Sequence, residues 1–434
     1  MSESTWITQI YDYSHNGAGV GKLDGKTVFV HHALRGETVR FRIVQEKRDY
    51  LQGEMVEILA PAPWRVSPPC PSYPDCGGCQ LQHMDYEEQL YFKRKRVAAA
   101  LRRIGGLENP PVNPARGMEH PWRYRHTARL HVSRKTNKTA LGYYQGKTHV
   151  VEEIADCLLL PSDCSLLLKA LSELLNHRGD TLGKGLKEVV LRKGYATGEL
   201  LVLFHLEELP PQTEFPGLEE ITAAFPALVG LLGQTPRTRA VFFGRDYYTE
   251  VVSGLRLRVP ASAFFQNNPL QTVTLVETVK SFCEPRPGGV LLDLYCGVGL
   301  FSLALAPMYG QVYGIEENRD AAAAACANAQ INKIENAKFI CGRVEDVLPL
   351  LKKKGVAPHT AILDPPRGGC SGRALKEIGE LAPERIVYVS CNPATLARDL
   401  SLLGKRYQTL KVQPLDLFPQ TSHIESVALL ARET

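Results

Sequence analysis

From about residue 266 onward, apolar runs alternate with helical patterns, and this alternation constrains the fold more than any other feature of the chain. The order is GGVLLDLYC, FSLALAPMYG, QVYGIEEN and RDAAAAACANAQINK. Such an alternation is typical of a parallel sheet with covering helices. Because ligands of these sheets bind at the carboxyl ends of the strands, we expect functional residues to follow the strands of an α/β domain directly.

Three segments of this domain share one pattern: a short apolar run, a small or polar cluster, then a helical pattern. They are DLYCGVGLF (293–301), LDPPRGG (363–369) and IVYVSCNPATLARDL (386–400). As strand ends, they predict a nucleophilic thiol beside an adenosine-type cofactor. Their order favours a methyl-transfer site over a hydride-transfer site.

The first segment predicts the cofactor site. Gly297 and Gly299 let the backbone pass close to a ligand, and the N-terminus of the following helix favours polar groups there. One G-x-G is weak support alone, but Glu316 ends the next predicted strand, where an acid binds ribose hydroxyls. Ser302 replaces the third glycine of the dinucleotide fingerprint, which favours a nucleoside such as S-adenosylmethionine over a pyrophosphate-bearing cofactor.

Cys391 follows an apolar run and precedes a predicted helix. A helix N-terminus stabilises a thiolate, so we expect Cys391 to be a nucleophile. Cys296, Cys326 and Cys341 are instead interpreted as small buried apolar residues.

A thiolate that adds to C6 of a pyrimidine makes C5 nucleophilic toward an electrophilic methyl group, and a base must afterwards remove the C5 proton. Glu425, in SHIESVALL, is the candidate base, and His423 is its rival. Spacing alone leaves open that Glu425 is an ordinary strand residue. Asp364, at a predicted strand end, is a candidate to hydrogen-bond the uracil edge or the cofactor.

A cysteine cluster lies upstream. Cys70, Cys76 and Cys79 form C-x5-C-x2-C within CPSYPDCGGCQLQH, and Cys157 follows in IADCLLLP. Four thiolates hold either zinc or an iron–sulfur cluster, and spacing does not decide between them. Cys164 is a spare cysteine that could be mistaken for the fourth ligand.

The chain of 434 residues is long enough for two or three domains. Residues 1–60 alternate apolar and polar positions in short runs broken by glycine, which predicts the strands of a small β-barrel. After a Pro-rich boundary, residues 61–265 predict a mixed α+β central domain with strand-like runs LKEVVLRK, ELLVLFHL and AVFFGRDYY. Residues 266–434 form the predicted α/β domain.

The net charge of +5 hides an asymmetry, because residues 91–150 carry fourteen Lys and Arg against Glu108 and Glu119. That stretch sums to +12 and the rest of the chain to −7. Trp122, Tyr124, Tyr143 and Tyr144 are interleaved with the basic residues, as an RNA-facing surface requires. Two other interpretations stay open: a solvated helix face at 93–96, and arginines paired with acids elsewhere in the chain.

DLYCGVGLF, LDPPRGG, VYVSCNP and HIES resemble the RNA 5-methyluridine methyltransferase family, specifically its iron–sulfur members acting on ribosomal RNA, over nearly the whole chain. The resemblance implies a Rossmann-like S-adenosylmethionine-dependent catalytic domain and, over residues 1–60, a TRAM domain, which is an OB-like RNA-binding β-barrel. It also assigns the site residues: Cys391 as nucleophile, Glu425 as proton acceptor, Gln266, Tyr295, Glu316 and Asp364 against S-adenosylmethionine, and Cys70, Cys76, Cys79 and Cys157 on a [4Fe–4S] cluster.

We therefore expect an enzyme that methylates C5 of a uridine in RNA, most consistent with 23S ribosomal RNA. The alternatives are a methylase of the transfer-RNA T-loop, a non-catalytic RNA-binding factor on a methyltransferase scaffold, and an iron–sulfur redox enzyme. Leu300 and Arg343 stand where some relatives have polar cofactor contacts, and the role of His126, in YRHTARL, stays open. With no secretory signal and no long uncharged apolar run, the chain is expected to be a soluble cytoplasmic monomer.

Overall fold

A computed structural model describes residues 4–433 of the protein, apart from 136–137, 147, 183–184 and 210–216. Three large sheets follow one another along the chain. Across the described ranges, none of the helices combines the length and the apolar character needed to cross a bilayer.

The first sheet contains six strands: β1 (Trp6–Gln9), β2 (Asp12–Tyr13), β3 (Gly19–Leu23), β4 (Lys26–His31), β5 (Thr38–Glu46) and β6 (Tyr50–Ala60). Their order is β1-β5-β6-β4-β3-β2. The sheet curls toward a barrel, because the hydroxyl of Thr8 in β1 donates to the carbonyl of Lys22 in β3 at 2.8 Å. Its alternating inward side chains, such as Val28, Val30 and Phe41, are completely buried, as the sequence pattern predicts.

Between the first and second sheets lies helix α1 (Tyr86–Arg103). Asp85 caps its N-terminus by accepting from the amide of Glu88 at 2.8 Å. Helix α1 packs through Val97 and Leu101 into the apolar core of the carboxyl-terminal domain. Val112 and Arg116 then form parallel bridges to Val412 and Leu415. Part of the 61–265 range is therefore built onto the carboxyl-terminal sheet, and the three-domain division stays a prediction.

The central sheet has seven strands and is accompanied by two helices: β7 (Thr127–Lys135), β8 (Lys138–Tyr144), β9 (Val151–Glu153), α2 (Ser162–Leu182), β10 (Leu186–Lys193), β11 (Leu200–Leu206), α3 (Leu218–Ala224), β12 (Leu228–Gln234) and β13 (Arg239–Gly244). The order is β13-β12-β11-β10-β7-β8-β9. Two of the three predicted strand runs form β10 and β11. The third, AVFFGRDYY, breaks at Arg245–Asp246, and its second half begins the hairpin of β14 (Tyr247–Val252) and β15 (Leu255–Pro260).

The carboxyl-terminal part alternates helices and strands: α4 (Pro269–Cys283), β16 (Val290–Leu294), α5 (Leu300–Leu305), β17 (Gln311–Glu316), α6 (Arg319–Ile331), β18 (Ala337–Cys341), α7 (Val344–Lys353), β19 (Thr360–Leu363), α8 (Gly372–Leu381), β20 (Arg385–Ser390), α9 (Pro393–Leu403), β21 (Tyr407–Leu415) and β22 (Glu425–Arg432). The strand order is β18-β17-β16-β19-β20-β22-β21. The first five are parallel to one another, and β22 runs antiparallel to both β20 and β21. The strand order reverses between β16 and β19, which is where such sheets bind ligands.

Candidate active site and cysteine cluster

The register of β20 and β22 brings Cys391 and Glu425 together. Ser390, the last residue of β20, pairs with Ser426 in the antiparallel ladder. Cys391 follows Ser390 and Glu425 precedes Ser426, so the next position of the ladder sets the predicted nucleophile beside the predicted base. Glu425 is 4% exposed, and Cys391 is half-buried.

Asp364 and Arg367 join this pair from the neighbouring strand end. Asp364 follows β19, and its amide donates to the carbonyl of Leu294 at 3.2 Å. Burial, then the charge of Asp364, raises the pKa of Glu425 well above its ordinary value, and Arg367 opposes the rise. Burial and the charge of Asp293 raise the pKa of Asp364 to about 7. The site therefore holds two buried carboxyl groups whose pKa values are both raised, because burial disfavours their charged forms.

The electrostatics of Cys391 differ from the sequence prediction. The residue does lie just before α9, but burial raises its pKa to about 11. Glu425 and Asp364 add to the rise, and Arg367 lowers it. Burial and the two carboxyl groups therefore outweigh the opposing effect of Arg367 on the pKa of Cys391. Arg367, which opposes both shifts, was missed although it stands in the quoted LDPPRGG segment.

His423 is less suited than Glu425 to accept a proton. Burial lowers its pKa to about 4, and Arg367, Arg125, Arg96 and Lys93 contribute in the same direction. A base must attract a proton, and burial raises the pKa of Glu425 whereas it lowers the pKa of His423.

Other predictions about cysteines are mixed. Cys296 is 6% exposed, as predicted. Cys326 and Cys341 are exposed, so the interpretation of these two as buried apolar residues is wrong. Cys326 lies on α6, and Cys341 is the last residue of the edge strand β18.

Three predicted cofactor residues lie at adjoining strand ends. The carboxylate of Glu316, the last residue of β17, accepts from the amides of Gly297 at 3.0 Å and Asn318 at 2.8 Å. The amide of Tyr295, after β16, donates to the carbonyl of Ile315 at 2.9 Å. Asp364 lies beside the same strand, and β16 is the neighbour of both β17 and β19.

The glycine turn leaves room for a ligand. Gly299 has a φ of +90°, and a Cβ there would lie 3.1 Å from Phe339, so only glycine fits without strain. Beneath the turn, Asp293 accepts from the amide and hydroxyl of Ser302 at 2.8 and 2.6 Å. Its Oδ1 is buried with no partner among the described residues. A turn with a free acceptor and a ribose-type carboxylate fits a nucleoside cofactor.

Gln266 and His126 lie together on the central-domain side. Gln266, between β15 and α4, is 8% exposed. The amide of His126 donates to the carbonyl of Asn267 at 2.9 Å. The His126 ring is buried and packs edge-on against Tyr195 at 5.1 Å. His126 thus joins the central sheet to the Gln266 segment.

The four predicted metal ligands line one cavity. Cys70, Cys76, Cys79 and Cys157 surround it together with Gln82, Arg125 and Tyr143. Within the described ranges, no group of three or more His, Cys, Asp or Glu is arranged to hold a single metal ion. Three polar atoms of the lining residues are buried without a hydrogen-bond partner there: Gln82 Oε1, Arg125 Nε and Tyr143 OH.

The basic stretch 91–150 is much less free than its charge predicts. Lys93 is fully buried, and its ammonium lies 2.5 Å from Asp416. Lys95 pairs with Asp12, and Arg96 donates to the carbonyl of Ser422. Ion pairs also hold Arg123 to Asp156 and Arg129 to Glu188, and the ring of Tyr124 is buried. Because Lys93 is buried, the interpretation of 93–96 as a solvated face is wrong. The interpretation that several cations pair with acids outside the stretch is confirmed, and an RNA-facing surface stays a prediction.

Comparison with known proteins agrees with this architecture. The family model described as tRNA (Uracil-5-)-methyltransferase matches residues 212–433, and the TRAM domain model matches residues 9–56. An uncharacterized RNA methyltransferase of Bacillus cereus is 37% identical, over 96% of this chain and 95% of its own. Another, of Halalkalibacterium halodurans, is 37% identical over 97% of this chain and 95% of its own.

A solved structure covers the chain as fully. It is the tRNA (uracil-54, C5)-methyltransferase of Pyrococcus abyssi in complex with S-adenosyl-L-homocysteine, 26% identical, with a TM-score of 0.76 over 98% of this chain and 100% of that one. The fold, the residues gathered at the edge of the carboxyl-terminal sheet and the similar proteins together identify the class of this protein as an RNA methyltransferase. The chain belongs to the tRNA (uracil-5-)-methyltransferase family and carries an N-terminal TRAM domain.

Proposed function

We propose that this enzyme methylates C5 of a uridine in RNA through a covalent adduct with Cys391. The observation that carries the proposal is the β20–β22 register, which sets Cys391 beside Glu425. Cys391 lies at the carboxyl end of one strand, and Asp364 follows the adjacent strand. A thiol, a base and a second carboxyl are thus gathered where parallel sheets bind their ligands.

The chain's own residues account for the bond changes at the uracil. Cys391 adds as a thiolate to C6, the S–C6 bond forms, and the C5–C6 double bond shifts its electrons toward O4. S-adenosylmethionine supplies an electrophilic methyl group when bound, and Gln266, Tyr295, Glu316 and Asp364 are the residues proposed to hold it. Once C5 carries the methyl group, Glu425 accepts the C5 proton, the double bond re-forms and the S–C6 bond breaks. The raised pKa of Glu425 supports this role.

Two variants test the mechanism with methyl-labelled cofactor and RNA. Glu425→Gln should add to RNA and stall, so a labelled protein–RNA adduct should accumulate on denaturing gels. Cys391→Ala should give neither adduct nor methylated RNA while binding the cofactor like the wild type. Methylation by Cys391→Ala at a comparable rate would show that the covalent mechanism is wrong.

Ribosomal RNA is the proposed substrate, on the resemblance of the sequence motifs to the iron–sulfur members of the family. The alternative is the transfer-RNA T-loop, because the Pyrococcus abyssi neighbour acts on uracil 54 of tRNA. Mapping 5-methyluridine in both RNA classes from cells that lack the protein decides between them. Loss confined to tRNA would replace the ribosomal assignment. A monomer is proposed as the acting form, and light scattering checks it.

We further propose that Cys70, Cys76, Cys79 and Cys157 hold a [4Fe–4S] cluster. Zinc needs four sulfurs about 2.3 Å from one ion, whereas each cluster thiolate binds a different iron. The four cysteines line one cavity, and the resemblance of the CGGCQLQH segment to the iron–sulfur members of the family favours the cluster over zinc. The buried N–H of Arg125 and O–H of Tyr143 can donate to cluster sulfurs.

The cluster proposal is tested on protein purified without oxygen. The protein should be brown and contain iron and sulfide, and Cys79→Ala should lower both. Stoichiometric zinc without iron would replace the cluster with a structural zinc site.

A further inference from the structure

The loop that leads into Glu425 is held by the segment that carries the cysteines. This loop, residues 416–424, connects β21 to β22. The amides of Gln80 and Leu81 both donate to the carbonyl of Gln420 at 3.0 Å. Gln80 directly follows Cys79, and Gln420 lies five residues before Glu425. Two places far apart in sequence are therefore joined by backbone hydrogen bonds.

The side chain of Gln80 continues this connection. Its Nε2 donates to the carbonyl of Gly77 at 2.8 Å, inside the turn between Cys76 and Cys79. Its Oε1 accepts from the amide of Ser422 at 3.2 Å. One amide group thus joins the cysteine turn to a residue three positions before Glu425.

Gln420 has the geometry of a residue held by its surroundings. It is 3% exposed and has a φ of +68°, a conformation that non-glycine residues rarely adopt. Helix α1 fixes it from the other side, because its amide and its side-chain Oε1 bond to the side chain of Gln89, both at 3.0 Å. Such conformations persist where neighbours determine them, and here the neighbours are the Cys76–Cys79 segment and α1.

We propose that Gln80 is a positioning residue that couples the Cys76–Cys79 turn to the loop bearing Glu425. The inference rests on the proposed function of Glu425 and gives the cysteine cluster a task in a reaction that transfers no electrons. A turn closed by its metal-bound thiolates presents the Gln80 and Leu81 amides in a fixed place. The loop docks on them, and Glu425 enters β22 next to Cys391. When the turn loosens, Glu425 loses its alignment, whereas Cys391, which directly follows β20, keeps its position.

Two near-isosteric variants test the coupling in the anaerobic holoprotein. Gln80→Met removes both side-chain hydrogen bonds, whereas Gln80→Glu keeps an acceptor for the Ser422 amide and loses only the donor to Gly77. In Gln80→Met, amide hydrogen exchange at 420–425 should rise about fivefold, because the loop loses one hydrogen bond, the one from the Ser422 amide. The labelled protein–RNA adduct should form at the wild-type rate and decay about fivefold more slowly. Gln80→Glu should restore protection at Ser422.

Removing the iron with a chelator tests whether the cysteine turn acts on the loop through Gln80. In the wild type, exchange at 420–425 should rise, and in Gln80→Met it should rise further by a smaller factor, because the connection is already broken. Gln89→Met, which loosens Gln420 from the α1 side, should keep the full response to the chelator. Equal chelator responses in the wild type and Gln80→Met would overturn the coupling.

The remaining outcomes separate this inference from the proposed function. Unchanged exchange in Gln80→Met overturns the positioning role outright. Faster exchange with an unchanged adduct lifetime, while Glu425→Gln accumulates adduct, overturns the link to the base and leaves the mechanism standing. If Glu425→Gln turns over normally, the mechanism itself fails, and the exchange data still decide whether the cysteine turn holds the loop.

Discussion

The sheet edge around Cys391 and the basic stretch 91–150 were both predicted as functional, and they differ sharply in the structure. The edge gathers its residues by strand register and sheet order, which set Cys391, Glu425 and Asp364 at adjoining positions. In the basic stretch, Lys93 and Arg96 face the protein instead of solvent. A residue that follows a strand has a known place at the edge of the sheet. A count of charged residues does not say whether their side chains point to solvent or into the protein. Whether a Lys or Arg side chain binds an RNA phosphate or a carboxylate of the protein depends on what packs against the helix that carries it.

The largest expected effect concerns the reactivity of Cys391. With a pKa of about 11, about one thiol in 10⁴ is ionised at pH 7. Alkylation by iodoacetamide at Cys391, followed by peptide mass spectrometry, should therefore rise about tenfold per pH unit from 7 to 9.5 without a plateau. Removing the carboxylate in Glu425→Gln should lower the midpoint, because that charge raises the pKa.

The exposed Cys326 and Cys341 serve as internal controls for the reagent in the same experiment. A plateau below pH 8.5 at Cys391 would restore the sequence-based expectation that the terminus of α9 stabilises the thiolate. The ionisation of Cys391 would then be controlled by the N-terminus of α9 and not by the neighbouring carboxylates.

What the sequence predicted well is what depends on short-range pattern. The strand–turn–helix segments located Cys391, Glu316 and Asp364 at strand ends, and the glycine-broken runs of 1–60 located the strands of the first sheet. Contacts between residues distant in sequence could not be predicted from these patterns. Nothing in the spacing of Lys93 or Arg129 points to Asp416 or Glu188, and the pKa of Cys391 depends on carboxylates that only the assembled sheet brings near. Helix α1 likewise gives no local sign that it packs on the carboxyl-terminal sheet.

The next effect tests whether Lys93 belongs to the interior. Its ammonium is buried between Asp416 at 2.5 Å and the carbonyl of Phe418 at 3.0 Å. Lys93→Met leaves Asp416 buried without its partner, which should cost about 3–5 kcal/mol of unfolding free energy. Urea titration measures this loss, and adding Asp416→Leu should recover most of it. If Lys93 instead served RNA, stability would change by less than about 0.5 kcal/mol.

The smallest effect separates paired from phosphate-binding arginines. Arg123 and Arg129 are partly exposed and bonded to Asp156 and Glu188 at 2.8 and 2.6 Å. Exposed pairs contribute about 0.2–1 kcal/mol each, so Arg123→Glu with Arg129→Glu should lower the unfolding free energy by about 1–2 kcal/mol, in the upper part of the summed range because like charges then face each other.

RNA binding by the same double variant completes the test. Two lost phosphate contacts would change the salt slope of single-strand binding by about 1.4, at about 0.7 each. We expect a much smaller change, since both guanidinium groups already face carboxylates. The matched control reverses one pair, Arg129→Glu with Glu188→Arg, which restores the attraction and should restore stability. If the salt slope stays reduced in this swapped protein, Arg129 contacts an RNA phosphate. The ion pair is intact in the swapped protein, whereas a phosphate contact needs the positive charge at position 129.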